Sequence, residues 1–144
     1  MDIVAALVRT SFLVDAVYTG SAREHGITQQ QGQLLCVLMP RAYAMGELSA
    51  TLRLAKSSLS GLVDRTERLG LVRRQPDPRD TRGVLVGLTA DGARLARQFY
   101  DETCRRIAEL PTVLGAPEQE ALAGLLARVV LGNEVPVIFP PKEG

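Results

Sequence analysis

The spacing of apolar residues predicts a mainly α-helical fold interrupted once by a small β-hairpin. Two observations carry this prediction. Apolar side chains recur at three- and four-residue spacing over most of the 144 residues, whereas strand-like runs occur only at 71–75 and 84–88. Between those runs lies Pro76-Asp-Pro-Arg-Asp-Thr-Arg-Gly83, rich in turn formers and basic in its second half.

The elements follow in order. Ile3, Val4, Leu7, Val8, Phe12, Val14 and Tyr18 lie at helical spacing without proline, which predicts a long first helix over 3–24 ended by His25-Gly26. Thr28 and Gln31 fit a capping box opening a second helix, through Leu34, Leu35, Val37 and Leu38, that stops at Pro40. A short third helix is expected over about 47–54, and a fourth from near Ser57 to Gly70. The two strands then flank a loop that reads as too long for a two-residue hairpin turn. Thr89 caps a fifth helix running to about Leu110, with Asp91 favourable near its N-terminus. Pro117 suits the first turn of a last helix, striped by Leu122, Leu125, Leu126 and Val129. Residues 134–144 form a proline-rich tail. Helix-turn-helix followed by a two-stranded wing is a winged helix-turn-helix. The flanking helices are more apolar than one small domain needs, so they are expected to dimerise.

A chain of 15.6 kDa buries about 68–70% of its unfolded surface, enough to fold without metal or disulfide. Cys36 and Cys104 form no spaced framework, which predicts a reduced, cytoplasmic protein. Asp2 stands where a secretion signal carries basic charge, and no charge-free apolar run reaches about 18 residues. Neither secretion nor a membrane span is expected.

Net charge is +1, but its distribution is uneven. Residues 53–82 carry eight basic and four acidic groups (net +4), against −1 for 1–52 and −2 for 83–144. Such clustering suits a polyanion, or equally a solvated, ion-paired face. On a helical wheel, Leu59, Leu62, Val63, Thr66 and Leu69 share one side of the fourth helix. Ser57, Ser58, Gly61, Arg65 and Arg68 fall largely opposite. Small hydroxyl residues let a helix N-terminus seat in a major groove, and Lys56 with that N-terminus favours phosphate. The plainer alternative makes Ser57 only a helix cap. In the loop, Arg79 and Arg82 can reach a narrow minor groove, while Asp80 is expected to pair with a neighbouring arginine and shape the turn.

Three stretches resemble the MarR (multiple antibiotic resistance regulator) family. They are Gly46-Glu-Leu-Ser-Ala-Thr-Leu, Leu62-Val-Asp-Arg-Thr-Glu-Arg-Leu-Gly-Leu-Val-Arg-Arg, and Asp77-Pro-Arg-Asp-Thr-Arg-Gly-Val-Leu-Val-Gly-Leu-Thr-Ala-Asp-Gly92. The resemblance is specific over 63–92 and extends in helix order over 1–132. It implies a homodimeric DNA-binding transcriptional regulator, often a repressor released by a phenolic or other aromatic ligand. By position it makes Lys56, Ser57, Ser58, Ser60, Gly61 and Arg65 the recognition-helix contacts, with Arg79, Asp80 and Arg82 in the wing. It also implies a DNA-binding region at 28–89, with dimer-forming arms at 1–27 and 90–133.

Tyr18, His25, Cys36 and Met39 are candidates to line a ligand pocket. Residues 1–26 hold no cysteine of the kind peroxide sensors of this family use, and Cys36 reads as a buried small hydrophobe. A single histidine argues against a metal sensor, and no cofactor is expected. Neither a phosphate-binding glycine loop nor a nucleophile motif is present, so an enzyme is not expected. The expected partners are a pseudo-palindromic duplex, a second copy and a small effector. The competing reading is an effector-binding or protein-interaction module that kept the fold and lost DNA binding.

Overall fold

The computed structural model describes residues 1–135, 138 and 139; of the expected tail, positions 136, 137 and 140–144 lie outside the described residues. The elements are α1 (Ile3–Glu24), α2 (Gln29–Leu38), β1 (Tyr43–Ala44), α3 (Met45–Leu52), α4 (Lys56–Arg68), β2 (Val72–Asp77), β3 (Asp80–Leu88), α5 (Ala90–Glu109) and α6 (Ala116–Gly132). A 3-10 turn at Leu110–Val113 precedes α6.

Local side-chain chemistry sets most of the helix boundaries. The Asp2 carboxylate accepts from the Ala5 N–H at 2.8 Å and opens α1. At α2 the capping box forms as expected. Thr28 Oγ1 accepts from Gln31 N at 3.1 Å and Gln31 Oε1 from Thr28 N at 2.9 Å. Helix α3 starts two residues before the expected boundary, because Glu47 closes the first turn by accepting from the Ala44 N–H at 3.1 Å. The Arg41 guanidinium, at 2.9 Å, helps hold the Glu47 carboxyl below the usual carboxylate range.

The sheet order is β1-β3-β2, all antiparallel, and two expectations are corrected here. Tyr43 and Ala44 form a third strand, opposite Val86 and Leu85. The hairpin does turn on two residues, since Asp77 stands opposite Asp80 with only Pro78 and Arg79 between them. The strands thus continue through Pro76 and Gly83. Proline is tolerated there because β2 is an edge strand, where a missing N–H leaves no ladder partner unsatisfied.

The core joins all these parts. Leu34, Leu35 and Leu38 of α2, Leu48 of α3, Leu59, Leu62 and Val63 of α4, Val72 and Val86 of the sheet, and Ala96 and Phe99 of α5 pack in one cluster. Phe99 lies against Gly32, where an added methyl group would stand 2.6 Å from the ring. The buried Thr103 hydroxyl donates to Ser21 Oγ at 2.9 Å, tying α5 to α1.

The remaining apolar surface is outside. In α1, Ile3, Val4, Leu7, Val8, Phe12 and Leu13 are exposed, and α6 has no buried residue, with Leu125 and Val129 open to solvent. By length and composition α1, with mean hydropathy 1.4, is the one helix among the described residues able to cross a membrane. Its C-terminal turns are nonetheless built into the domain through buried Ser21 and Ala22 and an ion pair from Glu24 to Arg106.

Candidate nucleic-acid interface

Helix α4 is positioned by its apolar side. Leu59, Leu62, Val63 and Thr66 are buried, and the Thr66 hydroxyl is satisfied by the Leu62 carbonyl at 2.7 Å. Leu69, expected on this face, is instead 53% exposed, because the helix ends at Arg68 and Leu69 leaves the wheel. Gly70, at φ +74°, then turns the chain into β2. At the other end, Arg53 takes a left-handed conformation (φ 54°), and the Ser49 hydroxyl holds the Leu54 carbonyl at 2.6 Å. Those contacts fix the turn between α3 and α4.

The outward face is chemically open. The residue capping α4 is Ala55, which supplies no side-chain acceptor, so Ser57 lies inside the first turn and is not the cap. The first N–H groups of α4 and the hydroxyls of Ser57 and Ser58 therefore face outward beside Lys56; all three residues are exposed. Ser60 and Gly61 are half-buried. A methyl at Gly61 would meet Arg65 Nη1 at 3.2 Å, so the Arg65 guanidinium folds back over Gly61 along this face.

Arg74, which sequence reasoning passed over, joins the wing to this helix. Its Nη1 reaches Asp64 Oδ1 at 2.8 Å and Glu67 Oε1 at 3.1 Å, and its backbone N–H donates to Glu67 Oε2 at 3.0 Å. Sequence spacing carries no signal for this, since the partners sit on different elements. At the wing tip, Asp77 Oδ1 accepts from Arg79 N and Asp80 Oδ1 from Arg82 N, each at 2.9 Å. Asp80 shapes the turn, but through a backbone N–H and not through the arginine pairing expected of it. Arg79 and Arg82 are exposed.

Charge pairing separates these groups. Among the described residues, Arg74 is the only one of the eight basic residues in 53–82 held in an ion pair. Elsewhere Arg41, Arg94, Arg105 and Arg106 are paired, while Arg9, Arg23, Arg97 and Arg128 are in no ion pair among the described residues. A surface with free cations, outward hydroxyls and unsatisfied helix N–H groups can bind phosphates and read base edges.

The candidate pocket residues gather around α5. Tyr18 and His25 approach Phe99, with ring centroids 6.3 and 6.2 Å away, and Met39 packs against the core. Cys36 is fully buried, as a small hydrophobe would be, and burial pushes its thiol up to about 12. Tyr100, not singled out from sequence, joins this cluster; burial and its hydrogen bond to Cys104 push its hydroxyl up to about 12. Burial also raises Tyr18. Tyr18, Phe99 and Tyr100 thus belong to an aromatic cluster where α1 packs on α5. His25 borders a separate polar hollow of about 570 Å³, lined also by Glu24, Gln98, Asp101, Glu102 and Arg105. Among the described residues no three His, Cys, Asp or Glu side chains converge as metal ligands.

Comparison with known proteins adds several likenesses. The family model described as MarR family matches residues 25–83. The multiple antibiotic resistance protein MarR of Salmonella typhimurium is 33% identical over 106 residues, covering 72% of this chain and 74% of that protein. A cysteine-to-serine variant of E. coli MarR, solved with operator DNA, superposes with a TM-score of 0.74 at 29% identity, over 88% of this chain and 91% of that one. NadR in complex with 4-hydroxyphenylacetate gives a TM-score of 0.71 at 26% identity, over 90% and 92% of the two chains.

Proposed function

The chain belongs to the MarR family of DNA-binding transcriptional regulators, and from that premise we propose that it acts as a homodimeric repressor released by a small aromatic ligand. The relatives are regulators and not enzymes, and the proposed site of action is the cytoplasm. Residues 28–89 supply the DNA contacts, while 1–27 and 90–133 pair the two copies. Lys56, Ser57, Ser58, Ser60, Gly61 and Arg65 enter the major groove. Arg82, aided by Arg79 and the turn that Asp80 shapes, enters the neighbouring minor groove. Two such units on a twofold axis read a pseudo-palindrome with half-sites about 10 base pairs apart.

The observation that carries this reading is the pairing contrast. Among the described residues, four of the eight basic residues outside 53–82 are ion-paired, whereas within 53–82 only Arg74 is, and those of the α4 face and wing tip are free. The aromatic cluster around Tyr18 and Phe99 supports the ligand part of the proposal, as does the 4-hydroxyphenylacetate bound by NadR.

The test is a titration of DNA from upstream of the protein's own gene. Affinity is expected to fall steeply with salt as phosphates release counterions. Arg82→Ala should weaken binding about 10- to 100-fold across sequences, while Ser58→Ala should change which bases are preferred. Binding that ignores both salt and Arg82 would contradict the assignment.

A further inference from the structure

The aromatic cluster between α1 and α5 is covered by a further ring, and it comes from the chain's own tail. Phe139 lies with its centroid 4.7 Å from Tyr100, the two planes 34° apart, and 5.5 Å from Tyr18, nearly edge-on at 76°. Tyr18 in turn leans on Phe99. These are the offset and edge-to-face geometries that aromatic side chains adopt with one another. The neighbouring tail residues follow a compatible path. Val135 and Ile138 line a small hollow of about 140 Å³ with Gln33, Thr51, Leu52 and Arg53. Val135 and Ile138 therefore share a hollow with the end of α3, next to the turn that leads into α4, while Phe139 lies against Tyr18 of α1 and Tyr100 of α5.

We propose that Phe139 is a built-in cover of the aromatic cluster, and that an aromatic effector must displace the tail to bind there. The inference rests on the ligand-released reading above and adds a gate to it. A tethered ring competes at high effective concentration, so the apparent affinity for effector is lowered by the fraction of molecules whose cluster is covered. Because Val135 and Ile138 line a hollow shared with the end of α3, release of the tail opens that hollow beside the helix that precedes α4. The local sequence does not mark this role, because the rings that Phe139 meets lie on α1 and α5, far from it along the chain.

The chain has no tryptophan, so Phe139→Trp supplies a unique reporter. In the ligand-free variant, the indole emission is expected at short wavelength and shielded from acrylamide. Titration with phenol or 4-hydroxyphenylacetate should move it to the emission of a solvated indole. Phe139→Ala should bind the same probe roughly tenfold more tightly by calorimetry. Solvent-exposed indole emission in the ligand-free Phe139→Trp variant would overturn the proposal. So would an indole that stays shielded while either probe saturates wild type and Phe139→Ala with equal affinity. A shielded indole with no probe binding to Phe139→Ala would instead sink the ligand-released reading and the gate with it, leaving the tail as a structural strap.

Discussion

Replacing Gly92 by alanine is expected to destabilise the protein by about 3 kcal/mol or more, a large part of the roughly 5–15 kcal/mol typical of a domain. Gly92 occupies the first turn of α5, where its N–H donates to Thr89 Oγ1 at 3.0 Å. A methyl group there would stand 1.8 Å from the Leu71 carbonyl oxygen and 2.7 Å from its carbonyl carbon. Those atoms are backbone and cannot rotate away. The Leu71 carbonyl also accepts from Thr89 N at 3.1 Å, and the Thr89 hydroxyl donates to the Gly70 carbonyl at 2.6 Å. This knot sets α5 against the junction of α4 and β2, so the clash displaces α5 relative to α4 and the wing. Urea denaturation checks the expectation, and thermal unfolding should show a fall in melting temperature on the order of 10 °C. Gly46→Ala is the control, because a methyl at Gly46 meets nothing within 4 Å. Its stability should be unchanged or slightly raised.

The second large effect concerns the apolar arms. Helix α6 buries nothing, yet Leu122, Leu125, Leu126, Val129 and Val130 are 37–57% exposed. A 17-residue helix with no buried residue is marginal in water, and a second copy is expected to cover its apolar stripe. The exposed Ile3, Val4, Leu7, Val8 and Phe12 of α1 offer a matching surface from a second copy. Phe12→Asp combined with Leu125→Asp should convert a dimer to a monomer by analytical ultracentrifugation and reduce helical ellipticity as α6 frays. Specific DNA affinity should drop at least about a thousandfold, toward the non-specific level, because one half-site is lost. A double variant that remains dimeric and binds as tightly would place the interface elsewhere.

Much of the fold is legible in the sequence where the controlling interactions are local. The Thr28–Gln31 box, the Thr89 cap and the glycines after α1 and α4 act over a few residues, and the structure places each where its letters suggest. The corrections come from longer range. Tyr43 and Ala44 become a strand only through pairing with a partner some forty residues away. Pro76 and Asp77 look like turn residues until the edge position of β2 makes them compatible with a strand. Leu69 falls on the apolar side only when the wheel is extended past the end of the helix. The same division holds for the candidate site. The exposed hydroxyls and arginines of α4 and the wing can be picked out by type and spacing. Arg74, Tyr100 and Phe139 cannot, because each draws its meaning from a side chain on another element.

The account stands on α4 and the wing tip meeting adjacent grooves of one duplex, and chemical footprinting tests that most directly. On DNA from upstream of its own gene, the wild-type dimer should protect two major-groove tracts from methylation about one helical turn apart. Each should be flanked by a minor-groove tract protected from hydroxyl radicals. Arg82→Ala should erase the flanking minor-groove protection and leave the major-groove protection in place. A single unsymmetrical tract, or minor-groove protection that survives Arg82→Ala, would contradict the account.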